Sequence, residues 1–211
     1  SGKSTLVKLM NRFYDVSRGL IEINGVDIRK YNLESLRTQI GYVAQKAHMF
    51  KGSIQSNICF GKPEASVEEM VHAATVAQAS EFISTREHGY EDEIAEDGTN
   101  ISGGQKQRLS IARVILKKPS LYIYDDSFSA LDFKTDATLR KALKPEVKNA
   151  IFFVVAQRIS TIMDSDMIIV LDEGQIIGMG THAQLLKDCS VYQEIAHSQL
   201  TQKELDDYER N

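Results

Sequence analysis

Leu121–Asp132 reads LYIYDDSFSALD: four apolar or aromatic residues without alternation, then two carboxylates, Asp125 and Asp126. An unalternated run of that length is the pattern of a strand buried on both faces, the usual condition of a parallel strand. An acid at the carboxyl end of such a strand sits where open α/β sheets bind their ligands. Asp125 is placed to hold a Mg²⁺ ion through water. Asp126, beside it, poses the question of whether a second acid is there for chemistry or simply begins a turn.

Working outward, two further runs have the same texture, AIFFVV at 150–155 and MIIVL at 167–171. Helical stretches near Phe133–Lys144 and Ile159–Met163 separate the runs. Strands spaced by helices predict one parallel sheet covered on both faces, with all three runs in it. IGYVAQ at 40–45 reads as another short buried strand. Asn24-Gly25 is a two-residue hairpin signal between short strands, and DEGQIIGMG at 172–180 reads as a turn into an edge hairpin. From Pro63 to Lys118 the texture is helical. Ser66 with Glu69, and Ser102 with Gln105, have the capping-box spacing at helix starts. Thr181 with Gln184 caps a terminal helix, and the polar tail TQKELDDYERN is expected to fray. At the other end, SGKSTLVKLMNRF reads as a loop entering a helix with Leu6, Leu9, Met10 and Phe13 on one face.

The chain has 211 residues, suited to one large domain or two small ones, and its net charge of −4 offers no basic face for a nucleic acid. Cys59 and Cys189 lack metal-ligand spacing and read as reduced thiols. His48, His72, His88, His182 and His197 likewise show no ligand spacing. No apolar run is long enough to cross a bilayer. The abrupt start on SGKST, without an initiator Met, suggests a piece of something longer.

GKST at 2–5 matches the end of a phosphate-binding loop. Backbone N–H groups at the glycine and the helix N-terminus wrap phosphate oxygens, Lys3 reaches the β- and γ-phosphates, and the Ser4 hydroxyl ligates Mg²⁺. Together with Asp125 this predicts nucleotide binding with Mg²⁺. The third stretch is ISGGQKQR at 101–108. Its Ser102 and exposed amides suit a phosphate. Plain capping by Ser102 and Gln105 also accounts for it, except that capping does not call for Gly103-Gly104, which weakens the helix start.

In order, SGKST, GYVAQ, ISGGQKQR, LYIYDDSFSALD and VAQRIST resemble the nucleotide-binding domain of an ABC transporter, over nearly the whole of residues 1–211. HMFKGSIQSNICFG is similar to the multidrug and lipid exporters rather than the importers. The resemblance implies an α/β P-loop NTPase with a mostly parallel sheet core, an antiparallel hairpin subdomain, a helical insert at about 63–118 and a helical tail at about 182–211. The strand leading into the P-loop, and the aromatic that stacks on adenine, would then lie upstream. So would a fused membrane domain.

In that family two domains sandwich two ATP molecules, one chain's P-loop facing the other's SGGQ. Gly2, Lys3, Ser4, Thr5 and Asp125 would serve the ATP on this chain's own side, with Ser4, Gln45 and Asp125 around the metal. Gln45 matches the loop glutamine that senses Mg²⁺ and water and touches the membrane domain. Ser102, Gly103, Gly104 and Gln105 would clamp the partner's ATP. Ala130, Leu131 and Asp132 match the D-loop, and Glu96 in AEDG resembles the loop that contacts the coupling helices. Two departures stand out. The family's catalytic Glu is Asp126 here, one methylene shorter, and its switch His is Gln157, which cannot carry a charge. With the phosphate-gripping residues kept, the resemblance implies a degenerate site that binds ATP and hydrolyses it poorly. The partner is expected to be a non-identical chain bringing the Glu and His, at the cytoplasmic face of the membrane. Two other readings are an ABC-class ATPase of DNA repair or chromosome organisation, and a regulatory subunit without turnover.

Overall fold

The computed structural model describes residues 2–201. Helix α1, Lys3–Met10, is followed by strands β1, Glu22–Ile23, and β2, Val26–Asp27, which pair antiparallel across Asn24-Gly25. Asn24 and Gly25 both have positive φ (53° and 73°), the geometry a two-residue hairpin turn demands. Helix α2, Leu33–Gln39, leads directly into β3, Ile40–Val43. The helical insert then runs through β4, Gly52–Ser53, α3, Ile54–Ile58, α4, Val67–Val76, α5, Ser80–Ser84, β5, Glu93–Ile94, and α6, Gly103–Lys117. Both predicted capping boxes are formed, at Ser66/Glu69 and at Ser102/Gln105.

The chain returns to the core in β6, Leu121–Asp125, then α7, Phe133–Glu146, β7, Ile151–Val155, and α8, Ile159–Ile162. It closes with β8, Ile168–Asp172, β9, Gln175–Gly180, and helices α9, His182–Asp188, and α10, Ser190–Gln199. Strands β3, β6 and β7 form a parallel sheet in that order, Ile40 opposite Leu121 and Leu121 opposite Ile151.

Strand β6 is central, and every residue in it is buried. Its pleat deals side chains to two cores. Tyr122 and Tyr124 join the larger one, with Leu109, Ile111 and Ile115 of α6 and Leu139 of α7. Leu121 and Ile123 join a second, with Val7 of α1, Leu36 and Ile40. Asp125 continues the second set by alternation, which turns its carboxylate toward α1. Close approach of α6 to β3 depends on Gly41, where a Cβ would lie 2.5 Å from Val114 Cγ1 and 2.6 Å from Pro119 Cγ.

Two expectations need correction. The run at 167–171 does not extend the parallel sheet: among the described residues β8 pairs only with β9, antiparallel. It covers a third core instead, with Leu185, Tyr192 and Ala196 of the two terminal helices. Only one face of β8 is buried, through Ile168 and Val170, while Met167 and Ile169 are exposed, so the apolar run fixed neither its full burial nor its neighbour. On α1 the fully buried position is Val7, while Phe13 lies beyond the helix and is 46% exposed. The terminal segment forms α9 and α10, and residues 202–211 lie outside the described residues.

Candidate nucleotide site

Helix α1 starts at Gly2, whose φ of 90° is a conformation natural to glycine. No side chain caps this helix. Its first-turn N–H groups have no partner further back in the helix, which together with the helix dipole suits a bound anion. Lys3 and Ser4 occupy the first two helical positions and Thr5 the third. Ser4 Oγ donates to Asp125 Oδ1 at 3.3 Å, linking the start of α1 to the end of β6 over 121 positions of sequence. Tyr42 Oη donates to Asp125 Oδ2 at 3.4 Å. Its phenol is pushed up to about 12, by burial first and then by the charge and hydrogen bond of Asp125. Asp125 is thus held by two hydroxyls on the face it shares with α1. A carboxylate and a hydroxyl are the hard oxygen donors that Mg²⁺ prefers.

Asp126 is set differently. Its φ of 50° turns the chain sharply out of the strand, and its N–H donates to Val155 O at 2.9 Å, where β6 and β7 part. Its carboxylate receives two glutamine amides on one oxygen. Gln157 Nε2 lies 2.7 Å and Gln45 Nε2 3.1 Å from Asp126 Oδ2. The three residues that the resemblance assigned to chemistry therefore meet at one atom, although 31 and 81 positions separate the glutamines from the acid. A cleft of about 330 Å³ opens beside them, lined by Asp126, Ser129, Gln157 and Arg158 among others.

The platform beneath Gln45 is tied at two points. Ser127 Oγ donates to Val43 O at 3.1 Å, and Gln107 Nε2, buried in α6, donates to Ala44 O at 3.1 Å. Helix α6 thereby connects the Gln45 loop to ISGGQ at its own start. There Ser102 Oγ accepts from Gln105 N at 3.2 Å, and Gln105 Oε1 accepts from Ser102 N at 3.0 Å. Ser102 and Gly103 face solvent, and the polar side chains of Ser102 and Gln105 serve their own helix rather than Ser4 or Asp125. A Cβ on Gly104 would lie 3.3 Å from Ala130 O, so the start of α6 packs close to the 130–132 loop. In that loop Leu131 is buried. Asp132 caps α7, its Oδ1 accepting from Thr135 N at 2.9 Å and its Oδ2 from Thr135 Oγ1 at 2.7 Å. Those bonds hold its carboxyl below the usual range. Glu96 is exposed in a 3-10 turn, Glu96–Gly98, which Lys106 of α6 anchors by donating to Asp97 O at 2.8 Å.

Tyr42, Ser127 and Gln107 were not foreseen. Tyr42 left a trace, since Ile40 and Tyr42 alternate onto the α1 face of β3, the face of Asp125. The other two bond to backbone carbonyls, and only the register of β3 on β6 reveals that.

The sequence pattern of the ABC transporter family matches residues 1–129. YgaD of Bacillus subtilis, named as a multidrug export ATP-binding/permease protein, is 47% identical over 92% of this chain and 33% of its own length. The fatty acid ABC transporter ATP-binding/permease protein of Mycobacterium tuberculosis is 40% identical over 94% of this chain and 31% of its own. Among solved structures, a bacterial Atm1-family ABC exporter with ATP bound superposes with a TM-score of 0.91 at 38% identity, over 93% of this chain and 35% of that one. The chain belongs to the ABC transporter family and is an ATP-binding domain of it, homologous to those of exporters. It spans about a third of the length of these relatives.

Proposed function

We propose that this domain powers an exporter as one half of an ATP sandwich, and that its own pocket binds MgATP but turns it over slowly. Lys3, Thr5 and the amides following Gly2 grip the phosphates. Ser4, Asp125 and Gln45 would hold Mg²⁺, which would neutralise phosphate charge. Asp126 stands where the family's glutamate polarises the attacking water, and Gln157 where its switch histidine stands. Ser102–Gln105, with Ala130–Asp132, complete the pocket of a second, non-identical domain that brings the glutamate and histidine. A membrane domain carries the cargo, and the ATPase works at its cytoplasmic face. The multidrug, fatty acid and Atm1-family relatives support an export role over DNA repair or chromosome organisation.

The observation that carries the slow-pocket reading is the Asp126 carboxylate with two amides on Oδ2, beside the Ser4–Asp125 pair. A shorter side chain retracts the carboxylate by about 1.5 Å. An error of about 1 Å in a catalytic group can cost about 10²-fold in rate. Two donors on one oxygen also weaken it as an acceptor for a proton from water. The test is ATP turnover by the full-length protein with each pocket silenced in turn. The expected rate is slow when the partner's pocket is disabled and near normal when only this one is. Brisk turnover at this pocket alone would falsify the reading.

A further inference from the structure

The turn at 157–159 is held from two sides. Helix α7 supplies Arg140, whose Nη1 donates to Ser160 O at 2.9 Å, and Phe133, whose ring centre lies 4.7 Å from the Arg158 guanidinium carbon. Helix α10 supplies Gln199. Its Nε2 donates to Gln157 O at 2.9 Å, and its Oε1 accepts from Ile159 N at 2.9 Å. One side-chain amide thus bridges the turn as a backbone peptide would, serving a carbonyl on one side and the first N–H of α8 on the other. The remainder of α10 is fixed by Tyr192 and Ala196, both buried in the third core. Gln157 itself is exposed, with a long side chain costly in entropy to order. Its 2.7 Å bond to Asp126 depends on where its backbone is anchored.

We propose that Gln199 is a positioning residue of this pocket, through which the last described helix sets the reach of Gln157 toward Asp126. This rests on the reading that Gln157 acts at the nucleotide. Gln199 forms no bond to Asp126 and acts only through the 157–159 backbone. The competing account is that Gln199 merely caps α8.

The two accounts separate in the full-length protein assembled with its partner domain, the partner's P-loop lysine being replaced by alanine so that this pocket's turnover is read. For Gln199→Ala the expected fall in kcat is about fivefold with KM held within about twofold, a modest misplacement of a group that needs fixed geometry. Gln199→Glu keeps the acceptor for Ile159 and removes the donor to Gln157. Its kcat falls as far while its melting temperature stays at that of the parent. In a Gln157→Ala background Gln199→Ala has no further effect on kcat, the non-additivity expected of residues acting in series. Full rate in the Glu variant, an unchanged rate in both variants, or the same fold-loss in the Gln157→Ala background each overturns the proposal. Fast turnover in the unaltered chain refutes the slow pocket but leaves this cycle readable. If the two domains prove identical, the cycle runs on the homodimer.

Discussion

Helices α1 and α6 both begin at glycines, and they treat their first amides in opposite ways. Helix α1 starts at a left-handed Gly2 with no side-chain cap, so its first turn stays available to an anion held by the same chain. Helix α6 closes on itself, with Ser102 and Gln105 each accepting the other's N–H. In the first arrangement Gly2 offers no side chain to the helix start, which leaves that role to a ligand. The second is a complete helix start that stands exposed without one. Under the proposed sandwich, the first start would serve a phosphate held by this chain and the second a phosphate brought by a partner. The neighbouring acids at the end of β6 repeat the contrast, Asp125 held by hydroxyls on the α1 face and Asp126 by amides that follow β3 and β7.

The largest effect is expected at the uncapped end. Lys3→Ala removes a charged contact to phosphate worth about 1.5–3 kcal/mol, so ATP affinity should fall by roughly 10- to 100-fold in calorimetry on the full-length protein. Ser102→Ala should leave that affinity unchanged, and equal losses from the two would erase the distinction between the helices. Next comes the acid pair. Asp126→Glu alone should raise this pocket's turnover only about twofold, and together with Gln157→His by about tenfold or more, since general-base catalysis is worth about 10²–10⁴ when geometry is right. A double variant no faster than the parent would mean that the two positions do not limit the rate.

The comparison is sharpened at Ser102. Replacing it with alanine should cost about 1 kcal/mol of helix cap and slow the partner pocket. Ser102→Asp keeps a good cap but points a negative charge at the phosphate. Melting temperature should therefore recover in the Asp variant while partner-pocket turnover does not. Recovery of both would reduce Ser102 to a cap. The smallest effect concerns Tyr42. Its phenol is raised to about 12 in the folded chain, above the ordinary value of 10.0, so the folded state keeps a proton that the unfolded chain gives up. Stability should hold up to pH 10 and then decline as pH rises toward 12. A Tyr42→Phe variant, read by thermal melts across that range, should lack this part of the decline.

Several features were legible because they depend on residues a few positions apart. The hairpin at Asn24-Gly25, the capping boxes at Ser66, Ser102 and Thr181, and the buried strand at 121–125 all follow from local geometry and hydrophobic texture. The Ser4–Asp125 pairing was legible too, from the chemistry of GKST and of a strand-end acid. Tertiary structure alone decided that Gln45, Asp126 and Gln157 meet at one carboxylate oxygen, that Gln199 reaches back 42 positions to hold Gln157, and that the run at 167–171 pairs outside the parallel sheet. Those outcomes depend on strand register and helix packing, which bring distant positions together. A run of apolar residues records a tendency to burial, and a lone glutamine that it can donate, but neither records its neighbour.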